Sequence, residues 1–172
     1  LQLGLSKLVV GLGWDPSSNK KINFDLDITA FLLNEGGKLI SEQHLVFYNN
    51  TSSLDKAVIH TGDDTTGKKT TGGEDEILII DLEKIDPSVK QIVFLVTLDN
   101  AEEQKIDFGS VENSFISIRD GESQREIALF NLTENYAQST ALEAARLYID
   151  NKEWNFEALG MGYTEELGYF RS

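Results

Sequence analysis

Cysteine is absent from the 172-residue sequence, and histidine occurs only at His44 and His60. Disulfide bonds and thiolate metal sites are therefore excluded, and two histidines are too few for a multi-histidine zinc site, which argues against both zinc and haem. Carboxylates are abundant, because the chain carries 29 Asp and Glu residues. Any metal that binds is accordingly expected to be a hard cation with oxygen ligands, such as Ca²⁺.

Basic residues are scarce: 15 Lys and Arg against 29 Asp and Glu give a net charge of -14. This balance argues against direct contact with a nucleic-acid backbone or an anionic membrane surface unless cations bridge the two. Only 2 prolines are present, and the one tract with the composition of a loop or linker is 62–73. With 40% apolar residues in a chain of this length, we expect one domain over residues 1–172.

Long hydrophobic runs are also missing. No stretch approaches the roughly 20 apolar residues that a membrane-spanning helix needs. Residues 1–10 lack the charged start, apolar middle and cleavage site of a signal peptide. We therefore expect a cytoplasmic protein that does not insert into membranes.

Short runs of β-branched and aromatic residues predict a chain built mainly from strands. The clearest of these runs are Leu8 to Trp14, Ile77 to Leu82 and Ile92 to Leu98. Two glycine-containing segments between apolar stretches predict hairpins, Asn34 to Gly37 and Arg119 to Glu122. In the second of these, Asp120 and Gly121 are predicted to form a two-residue type I′ turn.

The segment Thr140 to Tyr148 is ambiguous, because its local propensity favours a helix. We predict a strand, because Asp150 to Glu153 has turn chemistry and is followed by Trp154 and Phe156 at alternate positions, as in a return strand. These two aromatic residues, like Trp14, are expected in the core and not on a binding face. Short helices are predicted at 108–113 and 164–170.

Acidic residues are concentrated in two segments, one with Asp25 and Asp27 and one that runs from His60 to Glu76. On a strand, positions two residues apart point the same way, so the carboxylates of Asp25 and Asp27 can face one ion. The glycines and threonines of the second segment leave backbone carbonyls available to coordinate Ca²⁺. Taken alone, the two aspartates fit equally well a solvated edge strand. His60 is expected to be a hydrogen-bonded structural residue, and the alternative is a pH-sensitive neighbour of the metal.

Several familiar motifs are excluded. Counted from Asp63, Glu74 stands at the twelfth position, as in an EF-hand, but Lys68 occupies the sixth position, where an EF-hand needs glycine. The sequence G-L-G-W-D at 11–15 lacks the third glycine and the helix of a dinucleotide-binding fingerprint. Nucleophile elbows and phosphate-cradling loops are also missing, so we expect a protein that is not an enzyme.

Ten motifs follow one another along nearly the whole chain. They are G-L-G-W-D at 11–15, F-D-L-D-I-T-A-F-L-L at 24–33, F-Y-N-N at 47–50, H-T-G-D-D-T-T-G at 60–67, E-D-E at 74–76, I-V-F-L-V-T-L at 92–98, F-G-S-V-E-N-S-F-I at 108–116, L-Y at 147–148, E-W-N-F at 153–156 and A-L-G-M-G-Y at 158–163. In this order they resemble the TerD family of bacterial tellurium-resistance and stress proteins. The resemblance implies a mainly all-β fold, a β-sandwich of two antiparallel or mixed sheets with one or two short helices. It also implies two adjacent calcium sites in loops at one edge.

The resemblance further implies which residues bind calcium. The family's D-L-D motif corresponds to Asp25 and Asp27, its G-D-N-x-T-G motif to 62–67 and its D-D-E motif to 74–76. The ligand set implied in this way is Asp25, Asp27, Asp63, Asp64, Thr66, Gly73, Glu74, Asp75 and Glu76. The sequence departs from the family pattern at 68–73, where K-K-T-T-G-G is longer and more basic than usual, which is expected to weaken or abolish one of the two sites. The stretch before Gly11 is also shorter than usual, as a truncation or a missing loop near Lys7 would produce.

From these features we expect a Ca²⁺-dependent binding or sensing module in a bacterial stress response. As partners, the resemblance implies other tellurium-resistance proteins, including a membrane-embedded member of the same system. Two alternatives stay open: the ion could bridge to an anionic ligand such as a lipid headgroup or nucleotide phosphate, or the carboxylates could serve a hydrolase. A closed cage of protein oxygens around Ca²⁺ would favour the module, and an open coordination position would favour ligand bridging.

Overall fold

The structure is a computed structural model that describes residues 6–15, 24–61 and 75–163. Within these ranges the chain forms ten strands, two four-residue helices and two 3₁₀ turns. The strands are β1 (Lys7–Gly13), β2 (Leu26–Leu33), β3 (Leu45–Val46), β4 (Val58–His60), β5 (Glu76–Asp81), β6 (Gln91–Leu98), β7 (Phe115–Asp120), β8 (Glu126–Asn131), β9 (Ala141–Asp150) and β10 (Glu153–Tyr163). The helices are α1 (Ala101–Gln104) and α2 (Leu132–Asn135), and the 3₁₀ turns are Glu42–His44 and Phe108–Ser110.

The ten strands form two five-stranded sheets with the orders β4-β5-β1-β7-β8 and β10-β9-β6-β2-β3. Every pairing in both sheets is antiparallel. Alternate side chains of the inner strands, such as Leu8, Val10 and Leu12 of β1, are fully buried in one apolar cluster between the sheets. The predicted mainly-β sandwich with short helices is therefore confirmed.

The apolar runs that predict strands in the sequence correspond to β1, β5 and β6. The ambiguous segment is also a strand, β9, whose Ala144, Ala145 and Leu147 are buried in the core between β6 and β10. Burial in the sheet outweighs the local helix propensity there. Asn151 and Lys152 have φ values of 52° and 64° and join β9 to β10 in a two-residue turn with positive φ at both positions, as type I′ requires.

Strands β7 and β8 form the predicted hairpin, but the prediction of a two-residue turn at Asp120-Gly121 is wrong. The backbone N–H of Asp120 donates to the carbonyl oxygen of Arg125 at 2.9 Å, and β8 begins only at Glu126. Gly121 is needed here for space: a Cβ atom at this position would lie 2.8 Å from the Cβ of Lys7. The close approach of Lys7 in β1 therefore leaves no room for a side chain at position 121.

The aromatic residues and short helices agree in part with expectation. Trp14 and Phe156 are buried, and the half-buried Trp154 packs against the same core. The helix predicted at 108–113 is the 3₁₀ turn Phe108–Ser110, and the one predicted at 164–170 lies outside the described residues. In the described part of the chain, no helix is long and apolar enough to cross a membrane.

Candidate metal centre

The amino-terminal half of β2 lies at one edge of its sheet. The two-residue strand β3 pairs only with Ala30 and Phe31 of β2, so it leaves the earlier part of β2 uncovered on that side. Glu76, the first residue of β5 in the opposite sheet, fills this position: its Oε1 accepts a hydrogen bond from the backbone N–H of Ile28 at 3.1 Å. A side chain from one sheet thus completes the edge of the other.

Three carboxylates meet at this edge. Asp25 immediately precedes β2, Asp27 lies within it, and Glu76 comes from β5. Each offers an oxygen atom, and the three oxygens lie within 4.8 Å of one another. Asp27 and Glu76 are 7% and 1% exposed and Asp25 is half-buried. The structure therefore brings together Asp25, Asp27 and Glu76, with the two aspartates on the same side of the chain as their spacing predicts.

The electrostatics of this acidic cluster favour a cation. Two unit negative charges about 5 Å apart repel each other by about 3 kcal/mol at an effective dielectric constant of about 20, and three charges make three such pairs. One oxygen of each residue, Asp25 Oδ1, Asp27 Oδ1 and Glu76 Oε2, is buried and accepts no hydrogen bond, although each residue makes other interactions. Carboxylate oxygens that converge at a mostly buried position fit the coordination of a hard metal ion.

Two donors among the described residues hold the carboxylate of Glu76. His60 Nε2 lies 3.0 Å from Glu76 Oε1, the oxygen that also accepts from the N–H of Ile28. Because an ionised carboxylate only accepts hydrogen bonds, we assign the proton to Nε2 of His60. His60 is 3% exposed. The expected role of His60 as a hydrogen-bonded structural residue agrees with this contact.

Asp75 directly precedes Glu76 and hydrogen-bonds to the backbone at the carboxyl end of β1 and just beyond it. Its Oδ2 accepts from the N–H of Trp14 at 2.9 Å, and its own N–H donates to the carbonyl oxygen of Leu12 at 2.7 Å. Among the described residues, it is not one of the three that form the cluster. The other predicted ligands lie outside the described residues: Asp63, Asp64, Thr66, Gly73 and Glu74.

Sequence reasoning missed two contacts at this centre. The indole N–H of Trp14 donates to the carbonyl oxygen of Phe24 at 3.1 Å, and the backbone N–H of Ile28 donates to Glu76. Both hydrogen bonds depend on how segments far apart in sequence approach each other, so no local sequence pattern predicts them. The only available signal is indirect: a Trp expected in the core, next to a motif rich in carboxylates.

Fold and site together define a β-sandwich protein with a largely buried, three-carboxylate cluster at one edge. Residues 2–171 match the TerD domain. The chain is 41% identical to tellurium resistance protein TerD of Serratia marcescens over 159 residues, which cover 92% of this chain and 82% of that protein. It is 38% identical to general stress protein 16U of Bacillus subtilis (strain 168) over 161 residues, 93% of this chain and 82% of that one.

Solved structures show the same fold. The crystal structure of SAV2460, a protein of unknown function, superposes with a TM-score of 0.85 at 25% identity and covers 98% of this chain and 95% of its own. A homologue of telluride resistance protein (TerD) from Streptomyces coelicolor A3(2) gives 0.84 at 23% identity, with 97% and 95% covered. The chain belongs to the TerD family of tellurium-resistance and general stress proteins.

Proposed function

We propose that the protein is a Ca²⁺-dependent binding or sensing module of the tellurium-resistance and stress-response type. The observation that supports this proposal is the convergence of Asp25, Asp27 and Glu76 within 4.8 Å at a mostly buried position. Each of the three carboxylates supplies at least one oxygen ligand, and Ca²⁺ takes 6 to 8 oxygen ligands in a flexible geometry, so further oxygens would complete its coordination shell. Mg²⁺ fits less well, because it demands near-ideal octahedral geometry and retains several waters.

The mechanism that we propose is linkage between the ion and the arrangement of the two sheets. Two of the carboxylates belong to β2 and its amino end, and the third belongs to β5 of the opposite sheet. A bound ion would cancel the repulsion among them and stabilise this edge of the sandwich. We propose that the ordered edge is then recognised by another protein, in the first instance a further tellurium-resistance protein, and that the module acts by binding and not by catalysis.

The test is thermal unfolding of chelator-stripped protein with added Ca²⁺ or Mg²⁺. At 100 times its dissociation constant, Ca²⁺ is expected to stabilise the wild type by about 2.7 kcal/mol per site, which corresponds to a rise in Tm of about 5 to 10 °C for a chain of this size. The double variant Asp25→Asn/Asp27→Asn is expected not to respond. Asp150→Asn/Glu153→Gln is the matched control, because it removes two exposed acidic charges in the β9–β10 turn.

If neither Ca²⁺ nor Mg²⁺ raises the Tm of the wild type, the proposal is contradicted. A response that the double variant retains would place the ion elsewhere. Tb³⁺ luminescence lifetimes in H₂O and D₂O then count the waters on the bound ion. Few or no waters would support the closed module, and several would favour the bridging of an anionic ligand.

A further inference from the structure

Glu76 is the carboxylate of the acidic cluster whose position depends most on its neighbours. It reaches the cluster from the other sheet, and the terminal torsion of a glutamate side chain has no sharp preference. A ligand with that freedom coordinates well only if other groups fix its carboxylate plane. Two groups of the described residues donate to Oε1: the backbone N–H of Ile28 from β2 and the imidazole of His60 from β4.

His60 is placed to do this by the alternation of β4. Val58 and His60 are buried, whereas Ile59 between them is 41% exposed, so the imidazole points into the sandwich. The Nε2–Oε1 distance of 3.0 Å is that of a well-formed hydrogen bond. The side chains of both residues are fully buried, so bulk water does not compete for this hydrogen bond.

We infer that His60 is a positioning residue of the metal centre: by holding Glu76 Oε1, it directs the other carboxylate oxygen towards the ion that Asp25 and Asp27 share. This inference rests on the proposed Ca²⁺ site. His60 does not coordinate the ion in this arrangement. Its contribution is transmitted through Glu76, as hydrogen-bond partners of metal ligands usually act.

The test compares three substitutions at one position by calorimetric titration of chelator-stripped protein with Ca²⁺ at pH 8. His60→Leu removes the donor and is expected to weaken calcium affinity about 10- to 100-fold. His60→Gln carries an amide N–H at a reach similar to that of Nε2 and is expected to bind Ca²⁺ nearly as well as the wild type. His60→Asn has a shorter side chain that cannot reach Glu76, so it is expected to behave like His60→Leu.

Val58→Ala is the matched control for loss of stability, because Val58 is buried in the same strand and takes no part in the contact with Glu76. It is expected to lower Tm and to leave calcium affinity unchanged. A double-mutant cycle with Glu76→Gln gives a second readout. If His60 acts through Glu76, then His60→Leu is expected to cause little further loss of affinity once Glu76 is changed.

The outcomes separate this inference from the proposed function. Failure of the wild type to bind Ca²⁺ would remove the proposed function itself. Tight binding by the wild type together with unchanged binding by His60→Leu would overturn only the role of His60. If His60→Leu does not fold, equal affinities for His60→Gln and His60→Asn would overturn it in the same way.

Discussion

The indole nitrogen of Trp14 donates a hydrogen bond to the carbonyl oxygen of Phe24 at 3.1 Å. Phe24 directly precedes Asp25 in the sequence. The backbone N–H of Trp14 donates to Oδ2 of Asp75 at 2.9 Å. Asp75 directly precedes Glu76. Trp14, the buried residue that follows β1, therefore hydrogen-bonds to the residues that directly precede Asp25 and Glu76, two of the three clustered carboxylates.

This contact predicts that Trp14 reports the binding of calcium. The chain has 2 tryptophans, so in Trp154→Phe the fluorescence comes from Trp14, which is 2% exposed. We expect Ca²⁺ to change the emission of this variant, because the ion tightens the segments on which the indole donates its hydrogen bond. The reciprocal variant Trp14→Phe, in which only Trp154 emits, is the control. Calcium-dependent emission from Trp154 alone would contradict the prediction.

Asp27→Asn is expected to have opposite effects on stability without and with calcium. Without the ion, the substitution relieves repulsion with Asp25 and Glu76 and is expected to raise the free energy of unfolding by about 1 to 3 kcal/mol. With saturating Ca²⁺ the variant lacks a ligand and is expected to be less stable than the wild type. Urea unfolding in chelator and in excess Ca²⁺ measures both values, with Asp150→Asn as the control. Destabilisation in both conditions would mean that Asp27 serves the fold and not an ion.

Gly121→Ala is expected to destabilise the protein by about 1 to 3 kcal/mol, the range typical of overpacking. An added Cβ would lie 2.8 Å from the Cβ and 3.2 Å from the carbonyl carbon of Lys7. Gly36→Ala is the control, since the nearest atom to its Cβ would be 3.4 Å away. Gly121→Asn distinguishes the two explanations for this glycine: a type I′ turn would tolerate Asn, whereas a close approach to β1 excludes it as it excludes Ala. Chemical denaturation of the three variants measures their free energies of unfolding and distinguishes these explanations.

Lys152→Gly is expected to stabilise the β9–β10 hairpin by about 0.5 to 1 kcal/mol. Lys152 has a φ of 64°, a conformation that costs a side chain more than it costs glycine. The change creates the Asn-Gly pair that type I′ turns prefer. Lys152→Ala removes the same charge and keeps a Cβ, so it is expected to show no gain. Equal stability of the Gly and Ala variants would show that charge, and not backbone conformation, governs this turn.

Much of the fold was predictable because local composition indicates where the strands lie. The runs that become β1, β5 and β6 carry β-branched residues at buried positions, and the turn at Asn151 and Lys152 has its own chemistry. The prediction of a two-residue turn at Asp120-Gly121 was wrong, because the turn continues to Arg125. The tight contact of Gly121 with Lys7 joins positions more than a hundred residues apart, so the local pattern does not contain it.

The candidate site was likewise predictable where it depends on local sequence and not where it depends on the packing of the sheets. The shared orientation of Asp25 and Asp27 follows from the period of a strand. Glu76 is 48 residues from Ile28 and 16 from His60, so the place of its carboxylate is determined by how the sheets pack. Composition pointed to the acidic segment that ends at Glu76, and the resemblance to a known family assigned Glu76 itself as a ligand. Nothing in the sequence pointed to the N–H of Ile28.

The division of the three carboxylates between two sheets also affects how fast the molecule opens. A site whose ligands come from β2 and β5 exists only after the two sheets have docked, and we expect this docking to follow the transition state of folding. An ion bound there stabilises the native state more than the transition state, so it is expected to slow unfolding and to leave the folding rate almost unchanged. Calcium would then set the lifetime of the folded protein, the quantity that governs irreversible inactivation in a damaged cell.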